Sequence, residues 1–323
     1  MKTCVLGTGA FGVGLALSLY ENNHEVTMWT KFEDEKEYLV QHRKSPTLPN
    51  VSIEENIIFT TNLKEAVEGK DFIIIVVPAG AVRGVCEELK KYINENQHIC
   101  IASKGIEQET CKFVYDVVKE YIDTNNISVI SGPTFAIDVA NKVPVGLSLA
   151  STNDETINIT KQALENKHIK LRETNDILGV EVCGSIKNVV AIASGILSGM
   201  NLPISTQAML ITESANDIKE LIDALGGNRN TILSFAGFGD ILLTCTSEKS
   251  RNFTLGTLIG SKAPKREISN FIKTNTIEGL YTLSSITKLI EEKNICMPIV
   301  NLLNDIIYND KPVEDLLVFL IEK

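Results

Sequence analysis

Lys187 stands in the run Val180-Glu181-Val182-Cys183-Gly184-Ser185-Ile186-Lys187-Asn188-Val189-Val190-Ala191, where nearly every neighbour is apolar or small. On a helix it shares a face with Cys183, Gly184, Val190 and Ala191. Helical lysines ordinarily point to water, but the small residues around this one let a substrate approach closely. A desolvated lysine loses basicity and can exchange protons near neutral pH, which makes Lys187 the candidate acid–base group. Farther along, Ser250-Arg251-Asn252 sets a cation between two hydrogen-bonding residues at a helix start, an arrangement suited to clamping a phosphate. Gly237-Phe238-Gly239-Asp240 adds a carboxylate. Asp240 either serves the same site or N-caps the apolar run 241–243, and Ser250 has the same two options for the helix that follows it.

A second group lies near the N-terminus. Gly7-Thr8-Gly9-Ala10-Phe11-Gly12 fits GxGxxG directly after a strand-like run and before a helical one. In that context Gly7 permits a tight turn, Gly9 lets the backbone approach a pyrophosphate, and Gly12 lets helix and strand pack closely. The helix N-terminus then offers free N–H groups and a favourable dipole to the phosphates. At the end of the second strand, where a strict NAD enzyme usually carries an acid, the sequence reads Trp29-Thr30-Lys31-Phe32. Lys31 either meets the 2′-phosphate of NADPH or is a solvated loop lysine. Ser103-Lys104-Gly105 and Gly132-Pro133-Thr134 each follow an apolar strand, at the carboxyl edge where such sheets hold ligands.

The elements that must position these groups fall into two kinds. Through the first half, strand-like runs at 4–6, 25–29, 57–60, 72–77, 98–103, 128–130, 145–150 and 169–172 alternate with helical stretches. That alternation predicts an α/β fold, an N-terminal Rossmann-type, mostly parallel sheet covered by helices. Pro46 and Pro49 are expected to break the helix that starts near Glu33. Beyond Asp176 the β signal fades, and helices are expected over 177–200, 207–225, 253–259, 279–292, 299–308 and 313–321. The boundary is placed there: residues 1–178 form the dinucleotide-binding domain, and residues 179–323 form a C-terminal all-helical domain for substrate and catalysis.

Composition narrows the function. The net charge of −10 and a pI near 5.1 argue against nucleic acid or an anionic membrane as partner. They leave room for a small anionic substrate held by a few local cations. Seven cysteines form no CxxC pair and no Cys/His metal spacing, so no metal is expected, and the odd count suits a reducing, cytoplasmic setting. The start, MKTCVLGTGAFG, runs straight into strand and turn, and no membrane span is expected. None of the four histidines lies in these motifs, which makes a histidine-based mechanism the poorer reading.

Taken in order, GTGAFG, ASKGIEQET, ISGPTFA, CGSIKNVVAIASG, AGFGDILLTCTSEKSRN and TIEG resemble the bacterial NAD(P)-dependent glycerol-3-phosphate dehydrogenase family over nearly the whole chain. The resemblance implies hydride exchange between NADPH or NADH and dihydroxyacetone phosphate, giving sn-glycerol 3-phosphate for glycerophospholipid synthesis. It implies that Lys187 is the catalytic base, with substrate contacts at Lys104, Gly132, Thr134, Asp240, Ser250, Arg251 and Asn252. Cofactor contacts are implied at Ala10, Phe11, Lys31, Lys104, Ala136, Arg251, Thr276 and Glu278, beside Gly7, Gly9 and Gly12 of the fingerprint. It leaves oligomeric state open, with a homodimer as the candidate. Two departures stand out: Glu213 where the family often has arginine, and Gly184-Ser185 where it usually has Gly-Ala. A ketopantoate-type reductase or β-hydroxyacid dehydrogenase would share the lysine but not need Ser250-Arg251-Asn252. A silent dinucleotide sensor would need neither.

Overall fold

The computed structural model describes residues 1–322 and divides into two compact units, Met1–Lys104 with Val114–Ile177, and Gly105–Phe113 with Leu178–Lys323. Gly105–Phe113 thus clusters with the second unit although it lies inside the first in sequence.

The first unit is built on strands β1 (Lys2–Leu6), β2 (Glu25–Trp29), β3 (Lys44–Ser45), β4 (Leu48–Ser52), β5 (Ile58–Thr60), β6 (Phe72–Ile75), β7 (His98–Ile101), β8 (Ile127–Ser131), β9 (Val145–Ala150) and β10 (Ile169–Thr174). Eight of them form one sheet in the order β10-β9-β8-β7-β6-β1-β2-β5. Every neighbouring pair is parallel except β8 with β9. Helices such as Ala10–Glu21, Ala79–Leu89 and Asp154–Leu164 connect them. A parallel sheet covered in this way is buried on both faces, and Phe72–Ile75 is buried at every position. The chain first builds outward from β1 through β2 to β5, then returns to start β6 on the other side of β1. The switch point between β1 and β6 is where such sheets open a crevice at their carboxyl edge.

One departure from expectation lies at Pro46 and Pro49. The chain there does not simply break; β3 and β4 pair as an antiparallel ribbon, and Leu48 and Val51 join the core. A two-stranded ribbon has only edges, so a proline at an exposed position such as Pro49 removes no needed hydrogen bond.

The second unit is helical. Ile177–Gly199 passes through it, and although long and apolar enough to cross a membrane, its most apolar window is 94% buried within the protein. Around it come Ile204–Ala224, Asp240–Cys245, Arg251–Gly260, Lys265–Thr274, Glu278–Glu292, Pro298–Tyr308 and Asp315–Glu322. The Lys265–Thr274 helix had no signal in the sequence because none of its residues is buried. The contact that orders this unit is a crossing of Ile177–Gly199 with Arg251–Gly260, each carrying glycines four residues apart. A Cβ on Gly195 would stand 2.1 Å from the Phe253 carbonyl oxygen, and one on Gly199 2.2 Å from that of Thr257. Reciprocally, Cβ atoms on Gly256 and Gly260 would meet the carbonyl oxygens of Ile192 at 2.1 Å and Ile196 at 2.0 Å. The two backbones touch, and no side chain fits between them.

This crossing yields a paired prediction. Gly256→Ala must push two helices apart and should destabilise the protein by about 3 kcal/mol or more. Gly84→Ala, on the exposed side of Ala79–Leu89 with nothing within 4 Å of the new Cβ, should stabilise by about 0.5–1 kcal/mol. Urea denaturation of both variants measures the difference, and equal midpoints would show that the helices are not in backbone contact.

Candidate active site

In the first unit, parallel β1, β2, β6, β7 and β8 all end at one edge of the sheet, so the residues following them gather there. Gly7 follows β1 with φ +124°, a conformation L side chains rarely adopt, and a Cβ on it would meet the Val76 carbonyl oxygen, just past β6, at 2.9 Å. Gly12 closes on the turn itself, its Cβ position lying 2.3 Å from the Gly7 carbonyl oxygen. Gly9 is the opposite case: it is exposed, and a Cβ there would meet nothing within 4 Å. Gly9 is also the N-cap of Ala10–Glu21 and provides no side-chain cap, so the first amides of that helix, at Ala10 and Phe11, face no side-chain acceptor. A tight turn, a bare backbone and an uncapped helix N-terminus fit a dinucleotide pyrophosphate.

The same edge carries the other residues assigned to this unit. Lys31 is exposed, two residues past β2 and just before the Glu33–His42 helix. Lys104, three residues past β7 and half-buried, donates from Nζ to the Gly132 carbonyl at 3.4 Å, and Thr134 Oγ1 donates to the same carbonyl at 3.4 Å. Ala136 starts the short Ala136–Ala140 helix, whose backbone lies against Gly14 of the Ala10–Glu21 helix.

In the second unit, Lys187 is 8% exposed and Asp240 wholly buried. Lys187 Nζ donates to Asp240 Oδ1 at 2.7 Å and to Thr244 Oγ1 at 3.0 Å, and Thr244 Oγ1 donates in turn to Asp240 Oδ1 at 3.2 Å. Asp240 is the first residue of its helix, not the cap, and follows directly on the kinked π-helical turn Phe235–Gly239. That turn re-aims the chain so that position 240 faces Lys187. An ammonium has three N–H donors, and this geometry uses two, leaving one for an oxygen brought from outside.

Beside this pair, Asn188 links two further helices. Its Oδ1 accepts from Asn252 Nδ2 at 3.0 Å, and its Nδ2 donates to Glu278 Oε2 at 3.3 Å. Asn252 Oδ1 accepts from the Gly279 N–H at 2.9 Å, which ties the start of Glu278–Glu292 to the start of Arg251–Gly260. Ser250 is the N-cap of the latter helix, accepting from the Phe253 N–H at 3.3 Å, so the capping option of the sequence is realised. The cap uses an acceptor lone pair and leaves the Ser250 hydroxyl hydrogen as a donor. Arg251 and Thr276 are exposed, and Arg251 makes no ion pair among the described residues.

Thr244 and Asn188 are therefore part of this cluster, though motif reading did not select them. Their signal was spacing: Thr244 is one turn after Asp240, and Asn188 adjoins Lys187. Cys245 is close too, its Sγ 3.9 Å from the Lys187 carbonyl oxygen. Burial pushes its thiol well above the ordinary range, with Lys187 opposing and Asp240 adding, so it stays protonated and is no nucleophile.

With this geometry, comparison with known proteins is decisive. The sequence model for the N-terminus of NAD-dependent glycerol-3-phosphate dehydrogenase matches residues 2–157, and that for its C-terminus matches residues 176–318. The chain belongs to the NAD-dependent glycerol-3-phosphate dehydrogenase family. Among its relatives, glycerol-3-phosphate dehydrogenase (NAD(P)+) of Fusobacterium nucleatum is 34% identical over 314 residues, 96% of this chain and 93% of that protein. That of Staphylococcus haemolyticus is 35% identical over 318 residues, 97% and 96% of the two chains. The crystal structure of glycerol-3-phosphate dehydrogenase from Coxiella burnetii superposes with a TM-score of 0.94 at 31% identity, covering 100% of this chain and 99% of that one. The family resemblance read from the motifs, and the mostly parallel Rossmann-type sheet with a helical C-terminal part, are both borne out. The chain is an oxidoreductase of the family, and NADH or NADPH fits its dinucleotide cradle.

The buried pair makes its own prediction. Asp240→Asn keeps the shape but leaves the Lys187 ammonium without a counter-charge, and should cost at least about 2 kcal/mol of stability. Urea unfolding measures this. A loss below about 0.5 kcal/mol would mean that water, not Asp240, compensates Lys187.

Proposed function

We propose that this chain interconverts dihydroxyacetone phosphate and sn-glycerol 3-phosphate for glycerophospholipid synthesis, with Lys187 moving the proton. The observation that carries this reading is the Lys187 ammonium, buried, held by Asp240 and Thr244, with one donor left over. The nicotinamide, when bound, supplies or accepts the hydride at C2. In reduction, the remaining Lys187 N–H donates to the substrate carbonyl oxygen and its proton passes to that oxygen. In oxidation, the neutral amine takes the proton from the hydroxyl. Asp240 and Thr244 fix the amine so that little reorganisation accompanies the transfer.

The remaining roles follow from placement. Arg251, the Ser250 hydroxyl and Asn252 stand at the start of Arg251–Gly260, where a phosphate is favoured by charge and by free amides. Lys104, with Gly132 and Thr134 beside it, polarises the reacting end of the substrate. Gly7, Gly9, Ala10, Phe11, Gly12 and Ala136 hold the dinucleotide, with Lys31 at its adenosine end and Thr276 and Glu278 contributing from the second unit. Residues 1–178 would then bind cofactor and residues 179–323 substrate. A cytoplasmic setting agrees with seven free cysteines, of which Cys4 and Cys100 are pushed up to about 12 by burial and so resist oxidation. For assembly, a homodimer is the form to test by mass in solution.

Initial rates at 340 nm test the two central roles together. Lys187→Ala should lower kcat by about 10²–10⁴-fold with cofactor binding intact. Arg251→Ala should instead raise KM for dihydroxyacetone phosphate at least about tenfold, the worth of one charged hydrogen bond. Retention of a tenth of kcat by folded Lys187→Ala would remove it as the proton carrier. Equal losses on phosphorylated and unphosphorylated substrate would take Arg251 off the phosphate.

Cofactor preference rests on Lys31. NADPH should serve at least as well as NADH, and Lys31→Asp should lower kcat/KM for NADPH more than for NADH. The effect should shrink as salt is added, since Lys31 is exposed. An unchanged ratio would leave Lys31 a solvated loop lysine.

A further inference from the structure

The chain first leaves one unit for the other between Lys104 and Gly105. A serine hydroxyl holds the backbone on each side of that junction. Within the first unit, Ser103 Oγ donates to the Val77 carbonyl at 2.5 Å, and its N–H to the Ile75 carbonyl at 3.1 Å. Within the second, the Gly105 N–H donates to Ser185 Oγ at 3.1 Å. Ser185 is 1% exposed and lies on Ile177–Gly199 two positions before Lys187. The mechanism above makes no use of it.

The Gly105 N–H belongs to the same peptide plane as the Lys104 carbonyl, so holding that N–H holds the backbone angle ψ of Lys104. Gly105 has φ +127°, and without a Cβ it resists rotation of that plane less than any other residue would. The bond to Ser185 is therefore what fixes the plane. We propose that Ser185 is a positioning residue for Lys104: from the helix that carries Lys187, it sets the backbone from which the Lys104 side chain projects. The proposal rests on the reading of Lys104 as a substrate contact. An alanine at 185 suits the helix but leaves a buried N–H without its acceptor, and the plane then turns to find another.

The test is a double-mutant cycle on the whole enzyme with dihydroxyacetone phosphate and NADPH, using Ser185→Ala, Lys104→Ala and the pair. Ser185→Ala should lower kcat/KM by about two- to tenfold, the worth of one hydrogen bond. NADPH affinity, read by its fluorescence, should stay unchanged. In the Lys104→Ala background the same substitution should have no further effect, because there is no side chain left to aim. An equal penalty in both backgrounds, or none in either, would overturn the proposal while leaving Lys104 its role. If Lys104→Ala alone leaves kcat/KM unchanged, the reading of Lys104 fails and takes the proposal with it.

Discussion

A buried ammonium is unstable unless a fixed counter-charge and hydrogen bonds replace its water, and the second unit is arranged around that demand at Lys187. Asp240 meets it only because a π-helical turn ends one residue earlier and re-aims the chain. Thr244 bridges the two side chains one helical turn later, so the pair is a closed triangle of hydrogen bonds. Such a triangle has few alternative arrangements. It holds the amine in one place while leaving a single donor direction open, which is what a proton carrier needs.

The glycine crossing lets this triangle have neighbours. Because Gly195 and Gly199 touch Gly256 and Gly260 through backbone, the start of Arg251–Gly260 comes within hydrogen-bonding distance of Asn188. With side chains of ordinary size the helices would stand farther apart and Asn252 could not reach Asn188 at 3.0 Å. Asn252 then carries the order onward to Gly279 and the next helix. Packing thus converts a choice of small residues in two helices into the placement of three polar groups.

Much of this was legible in the sequence, and the reasons differ by residue. Strands such as Phe72–Ile75 announced themselves because a sheet covered on both faces needs unbroken apolar runs. GxGxxG was readable because each glycine has a separate steric duty, and the structure shows a positive φ at Gly7, open space at Gly9 and close contact at Gly12. Helix Lys265–Thr274 was not readable, since a helix that buries nothing leaves no apolar period. The ribbon β3–β4 hid behind Pro46 and Pro49, which usually end structure. Asp240 was ambiguous for a deeper reason: capping and pairing with Lys187 ask for the same carboxylate, and only the fold distinguishes them. The grouping of Gly105–Phe113 with the second unit had no local signal at all, because it depends on contacts distant in sequence.

The charges divide the labour in a way that composition alone would hide. A chain of net charge −10 repels a phosphate overall, so attraction must come from cations that are not already compensated. Lys187 does not qualify, since its charge is matched by Asp240 at 2.7 Å. Lys36 is paired with Glu33, and Lys262 with Glu314 at 2.8 Å. Arg251 differs, standing exposed at a helix N-terminus with no acid paired to it among the described residues. Its guanidinium stays charged at any working pH and offers a planar fork of donors. A phosphate entering this unit is therefore drawn to Arg251 and not to the amine that must carry the proton. A phosphate lodged on Lys187 would take the one donor that the triangle leaves open; keeping binding charge and proton-carrying charge on different helices prevents that.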